Sequence, residues 1–168
     1  KRLLISPEGP LSYIPFAAIA TDRTVVYEPS GTTYGLLLDE AKKRGEGVLA
    51  LGDPEYGGAR EGQSQAVYWR ERPLGALPAT REEAKQVGDV SLLGAEASES
   101  GLRAALPKAR GGRWRAVHFA CHGLIDVERP TLSSLALSRD AQSDGFLTAL
   151  EVLGLDVPAD LAVLSACE

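Results

Sequence analysis

The chain has few of the residues that mark several common classes of protein. Its 168 residues include no methionine, two cysteines and two histidines, and aromatic residues make up 6%. Two cysteines far apart in sequence do not build the disulfide framework of a small secreted domain. No apolar run approaches the roughly 20 residues that span a bilayer, and no secretory signal peptide is visible. We therefore expect a cytoplasmic protein that does not enter a membrane.

The charge distribution excludes direct binding of nucleic acid. The net charge is −5, and the longest basic cluster, Lys42 to Arg44, is typical of a helix end rather than of a basic stripe. The glycines at 45, 47, 57 and 58 match neither a dinucleotide-binding nor a phosphate-binding motif. Hydrophobic residues at 44% and charged residues at 24% predict one folded domain, and no cofactor is expected.

Short apolar segments alternate with helical patterns along the chain. This order predicts an α/β fold with a mainly parallel sheet between helices. A turn at 6–10 is predicted to separate extended segments at 3–5 and 11–19. Thr80 and Glu83 have the spacing of a capping box at the start of a helix. The polar stretch at 54–78 is predicted to be a surface loop. The other predicted strands lie at 24–28, 47–52, 90–94, 115–121, 135–138 and 160–166, the last of them buried. The predicted helices lie at 33–44, 80–86, 98–106 and 149–153, and residues 146–148 lead into the last of these.

Reactive side chains follow two of the predicted strands. His122 and Gly123 come after the strand at 115–121, and Cys167 comes after the strand at 160–166. Functional residues of parallel sheets collect at the carboxyl ends of the strands, so His122 and Cys167 meet if these strands are neighbours. A thiolate can attack a carbonyl while a histidine accepts and returns the proton. The backbone N–H groups of Gly123 and Cys167 are the expected donors to the resulting oxyanion.

Several motifs resemble those of one known family. Residues 117–123 (Val-His-Phe-Ala-Cys-His-Gly) are similar to the His motif of the CHAT family of caspase-like peptidases, and residues 160–168 are similar to its Cys motif. Residues 130–137 and 144–151 also match the family pattern, and residues 3–16 are similar to its N-terminal hairpin. The resemblance covers nearly the whole chain and is weakest over 54–78.

The resemblance implies a fold and an activity. The expected fold is a caspase-like three-layer sandwich with helices on both faces of the sheet, and residues 1–28 form a hairpin-like N-terminal segment. The expected activity is that of a cysteine endopeptidase acting on proteins, with Cys167 as nucleophile, His122 as base, and no metal or cofactor. CHAT domains often follow TPR or other sensor regions and serve bacterial defence or regulated cell death.

The family pattern also continues beyond the end of this sequence. In CHAT domains, Thr-Gly normally follows the Ala-Cys-Glu that stands here at 166–168. We therefore expect residues 1–168 to be the N-terminal part of the peptidase domain, truncated after the Cys motif. Its partners would then include an N-terminal TPR or sensor region and the C-terminal remainder of the domain.

Other interpretations of the same residues stay open at this stage. His118, Cys121 and His122 have the residue types of a zinc site, but in a strand Cys121 faces away from both histidines. His118 is expected to be a core or supporting residue, and Cys121 to pack beneath a helix. Asp126, in the loop after His122, is a candidate substrate contact. The alternative to an enzyme is a catalytically silent caspase-like scaffold for protein interaction.

Overall fold

The computed structural model describes residues 1–40, 44–57 and 67–166. The chain divides into two compact units, residues 1–43 and residues 44–168. The first unit contains a two-stranded sheet, and the second contains sheets of four, three and two strands. Strands and helices are mixed in both units, so the predicted α/β class is confirmed at this level.

The first unit is built around two parallel strands. Strand β1 (Arg2–Ile5) pairs in parallel with β2 (Thr24–Tyr27). Parallel neighbours require a crossover connection, so the hairpin expected within residues 1–28 is wrong. The crossover is helical, with a 3₁₀ turn at Gly9–Tyr13 and helix α1 at Phe16–Ile19, where an extended segment was predicted. Pro10, the second residue of this turn, favours its formation because the proline ring fixes φ near the helical value.

Helix α2 (Gly31–Glu40) completes the first unit and confirms the helix predicted over 33–44 as far as it is described. Residues 41–43 lie outside the described residues. The first turn is capped by Ser30, whose Oγ accepts a hydrogen bond from the Thr33 N–H at 3.0 Å.

The second unit contains the remaining elements. Its strands are β3 (Val48–Gly52), β4 (Tyr68–Trp69), β5 (Arg72–Pro73), β6 (Val90–Leu93), β7 (Ala116–Ala120), β8 (His122–Leu124), β9 (Ser134–Ala136), β10 (Phe146–Thr148) and β11 (Ala162–Ser165). Its helices are α3 (Ala79–Val87), α4 (Glu99–Ala105) and α5 (Ala149–Val152). Short 3₁₀ turns occur at Gly94–Glu96, Leu106–Lys108, Arg110–Gly112 and Pro130–Leu132. Throughout the described residues, no helix combines the length and apolar character needed to cross a membrane.

Four parallel strands in the order β11-β7-β3-β6 form the main sheet. Leu49 and Leu51 of β3 and Val117 and Phe119 of β7 share a buried cluster with Leu102 of α4. Alternation along the strands directs the intervening residues to the opposite face, where α3 lies. This contact is close, because a Cβ added to Gly52 would lie 2.4 Å from the Thr80 carbonyl oxygen.

Polar side chains at the helix starts do not all act as predicted. Ser98 caps α4, at the start of the helix predicted over 98–106, and accepts a hydrogen bond from the Gly101 N–H. Thr80 does not cap α3, which begins at Ala79; its hydroxyl donates to the Leu77 carbonyl and accepts from the Asp53 N–H. A capping box is present instead at α5, between Thr148 and Glu151.

The stretch at 54–78 is more ordered than its composition indicates. Strands β4 and β5 pair within it in antiparallel orientation, and Tyr56 and Val67 are buried. A continuous surface loop is therefore wrong for the described part, while residues 58–66 lie outside the described residues. The turn between the strands places Arg70 and Glu71 at φ of 46° and 67°, which suits the right-handed twist of a short hairpin.

Strand β11 is more exposed to solvent than the sequence predicts. The apolar run at 160–166 predicted a buried strand, but Leu161 is 56% exposed and Leu164 is 61% exposed. Within the described ranges, β11 hydrogen-bonds to β7 alone and so forms an edge of the sheet.

Replacing Gly52 with Ala should destabilise the second unit. The new Cβ would lie 2.4 Å from the Thr80 oxygen and 2.7 Å from the Ala84 Cβ, and separating α3 from β3 should cost about 1–3 kcal/mol. Gly75→Ala is the matched control, because its Cβ would meet no atom within 4 Å. Urea unfolding of the two variants measures the difference, and equal midpoints would contradict the close packing of α3 on β3.

Candidate active site

The strands that lead to His122 and Cys167 are neighbours. Strand β7 pairs in parallel with β11, and Ala120 is the register partner of Ser165. His122 stands two residues after Ala120, and Cys167 stands two residues after Ser165. The condition set by the sequence, that the two strands lie side by side, is therefore met. Cys167 itself lies outside the described residues.

Gly123 lies directly against the residue that precedes Cys167. A Cβ added to Gly123 would be 3.2 Å from the Ala166 Cβ and 3.3 Å from the Ala166 carbonyl oxygen. Glycine therefore permits the close approach of the two chain segments. The His motif and the residue before the cysteine thus contact each other in the structure, although 42 positions, from 124 to 165, separate them in the sequence.

His122 belongs to a different sheet from β7. The chain leaves the parallel sheet after Ala120, and His122 opens β8, which belongs to an antiparallel sheet of order β10-β9-β8. There His122 pairs with Ala136 of β9. The residue still follows the carboxyl end of β7, as predicted, but the second sheet holds its backbone.

Tyr56 fixes the start of β8. Its hydroxyl donates to the Ala136 carbonyl oxygen at 2.9 Å and accepts from the His122 N–H at 3.3 Å. The tyrosine and histidine ring centroids are 5.2 Å apart. Burial raises the pKa of Tyr56 above its ordinary value, so the hydroxyl keeps its proton for the bond to Ala136.

The loop after β3 carries Tyr56 into this position. The Asp53 N–H is bound by Thr80, and the Glu55 N–H donates to the Ser138 hydroxyl at 2.7 Å. Ser138 in turn donates to the Gly94 carbonyl, so both sides of the loop are anchored. Sequence reasoning missed Tyr56 because it lay in the predicted loop at 54–78. The one signal was an aromatic residue four positions after the end of a buried strand.

The His122 ring is oriented by a backbone carbonyl. Its Nε2 lies 2.8 Å from the Gly75 oxygen. A carbonyl oxygen only accepts hydrogen bonds, so Nε2 carries a hydrogen in this arrangement. In the neutral ring, Nδ1 then holds the free lone pair and is the atom able to accept a proton. The ring is partly exposed, which leaves it accessible to a reacting partner.

The thiol of Cys121 is buried in the core. Cys121 is 2% exposed and belongs to the same buried cluster as Val117 and Phe119. Burial raises the pKa of the Cys121 thiol to about 12. Since the thiolate is the nucleophilic form, Cys121 is inert near neutral pH.

His118 faces away from Cys121 and contacts helix α3. Its Nε2 lies 2.8 Å from Glu83 Oε1, and its side chain is 12% exposed. This largely buried position agrees with the supporting role expected for His118. In the part of the chain that is described, no group of three or more His, Cys, Asp or Glu side chains is arranged to hold a metal ion.

Asp126 organises the loop that follows β8. Its side chain is 2% exposed, and Oδ1 accepts from the backbone N–H groups of Glu128 and Arg129. Arg70 of the β4–β5 turn lies 3.1 Å from the same carboxylate. These groups, the Arg129 N–H first, hold the pKa of Asp126 below its ordinary value. The geometry favours a positioning role, and the substrate contact suggested by the sequence stays a prediction.

One comparison with known proteins gives a match. A family model described as the CHAT domain matches residues 1–168. No curated protein and no solved structure matches the chain.

Tyr56→Phe should destabilise the second unit by about 1–3 kcal/mol, because it leaves the Ala136 carbonyl and the His122 N–H without their buried partner. Tyr68→Phe is the control, since Tyr68 is 57% exposed and a surface change of this kind alters stability by less than about 0.5 kcal/mol. Denaturant unfolding followed by tryptophan fluorescence compares the two. Equal stability of both variants would show that the Tyr56 hydroxyl does not hold β8.

Proposed function

Because the chain belongs to the CHAT-domain family, which is related to caspase-like cysteine peptidases, we propose that it is a cysteine endopeptidase acting through Cys167 and His122. The close packing of Gly123 on Ala166 carries this proposal. It brings the backbone beside His122 to the residue that precedes Cys167, and the parallel register of β7 and β11 supports the same meeting point.

The proposed reaction begins with a proton transfer. Nδ1 of His122 accepts the proton of the Cys167 thiol, and the thiolate attacks the carbonyl carbon of a peptide bond. The carbonyl oxygen becomes an oxyanion that the N–H groups of Gly123 and Cys167 stabilise. Nδ1 then returns the proton to the leaving amine, and a thioester remains on Cys167. Water, deprotonated by the same nitrogen, hydrolyses the thioester and regenerates the thiol.

The Gly75 carbonyl contributes to this cycle through the histidine. Its hydrogen bond to Nε2 fixes the ring orientation and keeps the hydrogen on the nitrogen that does not react. When Nδ1 is protonated, the same carbonyl stabilises the positive ring, since a hydrogen bond from a charged donor is stronger than one from a neutral donor. Gly75 acts through its backbone, so a change of side chain there leaves the interaction available.

The wider role follows from the family and forms part of the proposal. The proposed architecture of the domain is a caspase-like three-layer sandwich. Its substrate would be a protein, and its partners would be an N-terminal TPR or sensor region and the C-terminal remainder of the domain. Regulated proteolysis in a cytoplasmic bacterial defence or cell-death system is the setting proposed.

Replacing the two dyad residues in the natural full-length protein tests this function. Cys167→Ala should abolish cleavage of protein substrates, because the nucleophile is lost. His122→Ala should lower kcat by a factor of about 10²–10⁴, the usual contribution of a general base. Peptide-release assays measure both variants, and melting curves show whether the fold is kept.

Cys121→Ala is the matched control for the nucleophile, since Cys121 is the only other cysteine and is buried. It should keep kcat and lose some stability. Iodoacetamide should label Cys167 rapidly at neutral pH in the unmodified protein and slowly in His122→Ala. Slow labelling of Cys167 together with an absence of cleavage in the unmodified protein would favour the silent scaffold.

Gly123→Ala should reduce kcat by a factor on the order of 10², the effect of losing one oxyanion donor. The added Cβ would press on Ala166 at 3.2 Å and displace both backbone segments that supply the donors. Gly154→Ala is the control, because its Cβ would meet only the Glu151 carbonyl oxygen at an ordinary 3.6 Å. Steady-state kinetics decide the point, and an unchanged kcat in Gly123→Ala would remove Gly123 from the oxyanion site.

A further inference from the structure

The β4–β5 hairpin lies beside the strand that carries His122. Val67 and Leu124 belong to one buried cluster, and Trp69 of β4 and Leu74, directly after β5, pack against it. Leu124 is the last residue of β8, so this apolar contact joins the hairpin to the strand whose first residue is His122. A hairpin with two residues in each strand is marginally stable at best in water, so it depends on such contacts for a fixed position.

The hairpin also carries the group that orients the His122 ring. The Leu74 N–H donates to the Val67 carbonyl oxygen at 2.9 Å, which closes the hairpin, and Gly75 is the next residue. The Gly75 carbonyl oxygen lies 2.8 Å from His122 Nε2. A movement of the closed hairpin is therefore transmitted within one residue to the oxygen that holds the ring.

Polar contacts attach the hairpin near both ends of β8. At its open end, the Val67 N–H donates to the Tyr56 carbonyl oxygen at 2.7 Å, and the Tyr56 hydroxyl accepts from the His122 N–H. At its turn, Arg70 Nη2 lies 3.1 Å from Asp126 Oδ1, and Asp126 stands two residues after β8. Apolar packing has no direction, so these two polar contacts determine how the hairpin is placed along β8.

Both partners of the ion pair at the turn are held in place before they meet. The guanidinium carbon of Arg70 lies 5.8 Å from the centre of the Trp69 ring, within the range of a cation–π contact. The Asp126 side chain is 2% exposed, and two backbone N–H groups of its own loop bind Oδ1. Arg129 approaches the other carboxylate oxygen at 3.5 Å, but it belongs to the same loop and does not connect that loop to the hairpin.

This arrangement makes the pair stronger than an ordinary surface ion pair. Little side-chain entropy remains to be lost in a carboxylate that its loop already fixes, and burial of Asp126 reduces screening by water. Arg70 itself is 52% exposed, so it can be replaced without opening the core.

We propose that Arg70 is a positioning residue for His122: its ion pair with Asp126 fixes the β4–β5 hairpin along β8, and the hairpin in turn holds the Gly75 carbonyl against the ring. This inference rests on the proposed function, in which Nδ1 of His122 is the base. It assigns Arg70 no contact with substrate.

The tautomer of His122 tests this role directly. With Nε2 bound to the Gly75 carbonyl, the neutral ring carries its hydrogen on Nε2 alone. In the natural full-length protein labelled with ¹⁵N-histidine, at a pH where the ring is neutral, its two nitrogens should give well-separated chemical shifts, assigned by their loss in His122→Ala. Arg70→Ala should move both shifts towards their mean, because the ring exchanges between tautomers once the carbonyl is displaced.

Arg72→Ala is the matched control for these spectra. Arg72 is an exposed arginine on the other strand of the same hairpin, so its replacement removes an equal charge and leaves the pair with Asp126 in place. Its variant should keep the two shifts apart. Arg70→Lys provides the rescue, because it keeps a cation near the carboxylate, and it should restore most of the separation.

Steady-state kinetics test whether the reaction uses this orientation. A displacement of about 1 Å at a reacting group can cost a factor of about 10² in rate, and Arg70→Ala should lower kcat by roughly 10-fold with KM changed by less than about twofold. Arg72→Ala should leave kcat unchanged, and Arg70→Lys should recover most of it. In the background of Asp126→Asn, Arg70→Ala should have no further effect, since the ion pair is already lost.

The outcomes separate this inference from the proposed function. If the unmodified protein cleaves peptides and Arg70→Ala leaves kcat or the His122 shifts unchanged, the positioning role is overturned. A merely structural role would lower the melting temperature and leave the shifts unchanged well below it. If Arg70→Ala does not fold, Arg70→Gln, which keeps the stem of the side chain, decides by the same two measurements. An unmodified protein that neither cleaves peptides nor labels at Cys167 contradicts the proposed function, while merging of the shifts in Arg70→Ala would still support the attachment of the hairpin.

Discussion

Strand β7 pairs in parallel with β11, with Val117 opposite Ala162 and Ala120 opposite Ser165. This register determines which residues of the two strands lie side by side. Because successive side chains of a strand point to opposite faces of the sheet, each residue of β7 faces one side or the other. His118 turns toward α3 and Glu83, while Cys121, one residue past the strand, lies in the buried cluster on the opposite face. A shift of the register by one residue would exchange these faces and place a histidine among leucines, so the burial of the cluster itself stabilises the register.

The candidate base is held by groups that do not belong to the main sheet. His122 is bound through its backbone by Tyr56 and through its ring by the Gly75 carbonyl. Tyr56 is in turn fixed by the loop after β3, which Thr80 and Ser138 anchor. The ring thus sits where two sheets meet, with its orientation set by hydrogen bonds made before any substrate arrives. Such preorganisation reduces the entropy that must be lost in a reaction.

The sequence predicts well those features that depend on local pattern. The continuous apolar runs at 47–52 and 115–121 are strands, and Ser98 begins a helix, because burial and capping act within a few residues. The sequence-based predictions are wrong where contacts between residues far apart in the sequence determine the local structure. The segment at 11–19 is apolar enough for a strand, yet the parallel pairing of β1 with β2 makes it a helical crossover. Thr80 has the pattern of a cap, but the Asp53 N–H competes for its hydroxyl. The placement of Tyr56 beside His122 could not be predicted, since it depends on contacts 66 residues apart.

The two cysteines of the chain differ in how their sequence positions relate to the candidate site. Cys121 is adjacent to His122 in sequence, but alternation and burial turn its thiol into the core and raise its pKa to about 12. Cys121 is therefore not part of the candidate site, although it is adjacent to His122 in the sequence. Cys167 is remote in sequence, yet the residue before it packs against Gly123. Because a side chain at position 123 would separate these segments, the absence of a Cβ there is the local feature that allows Ala166 to lie against the residue that follows His122. The chemistry proposed for this chain thus depends on the small size of one residue as much as on the two residues that react.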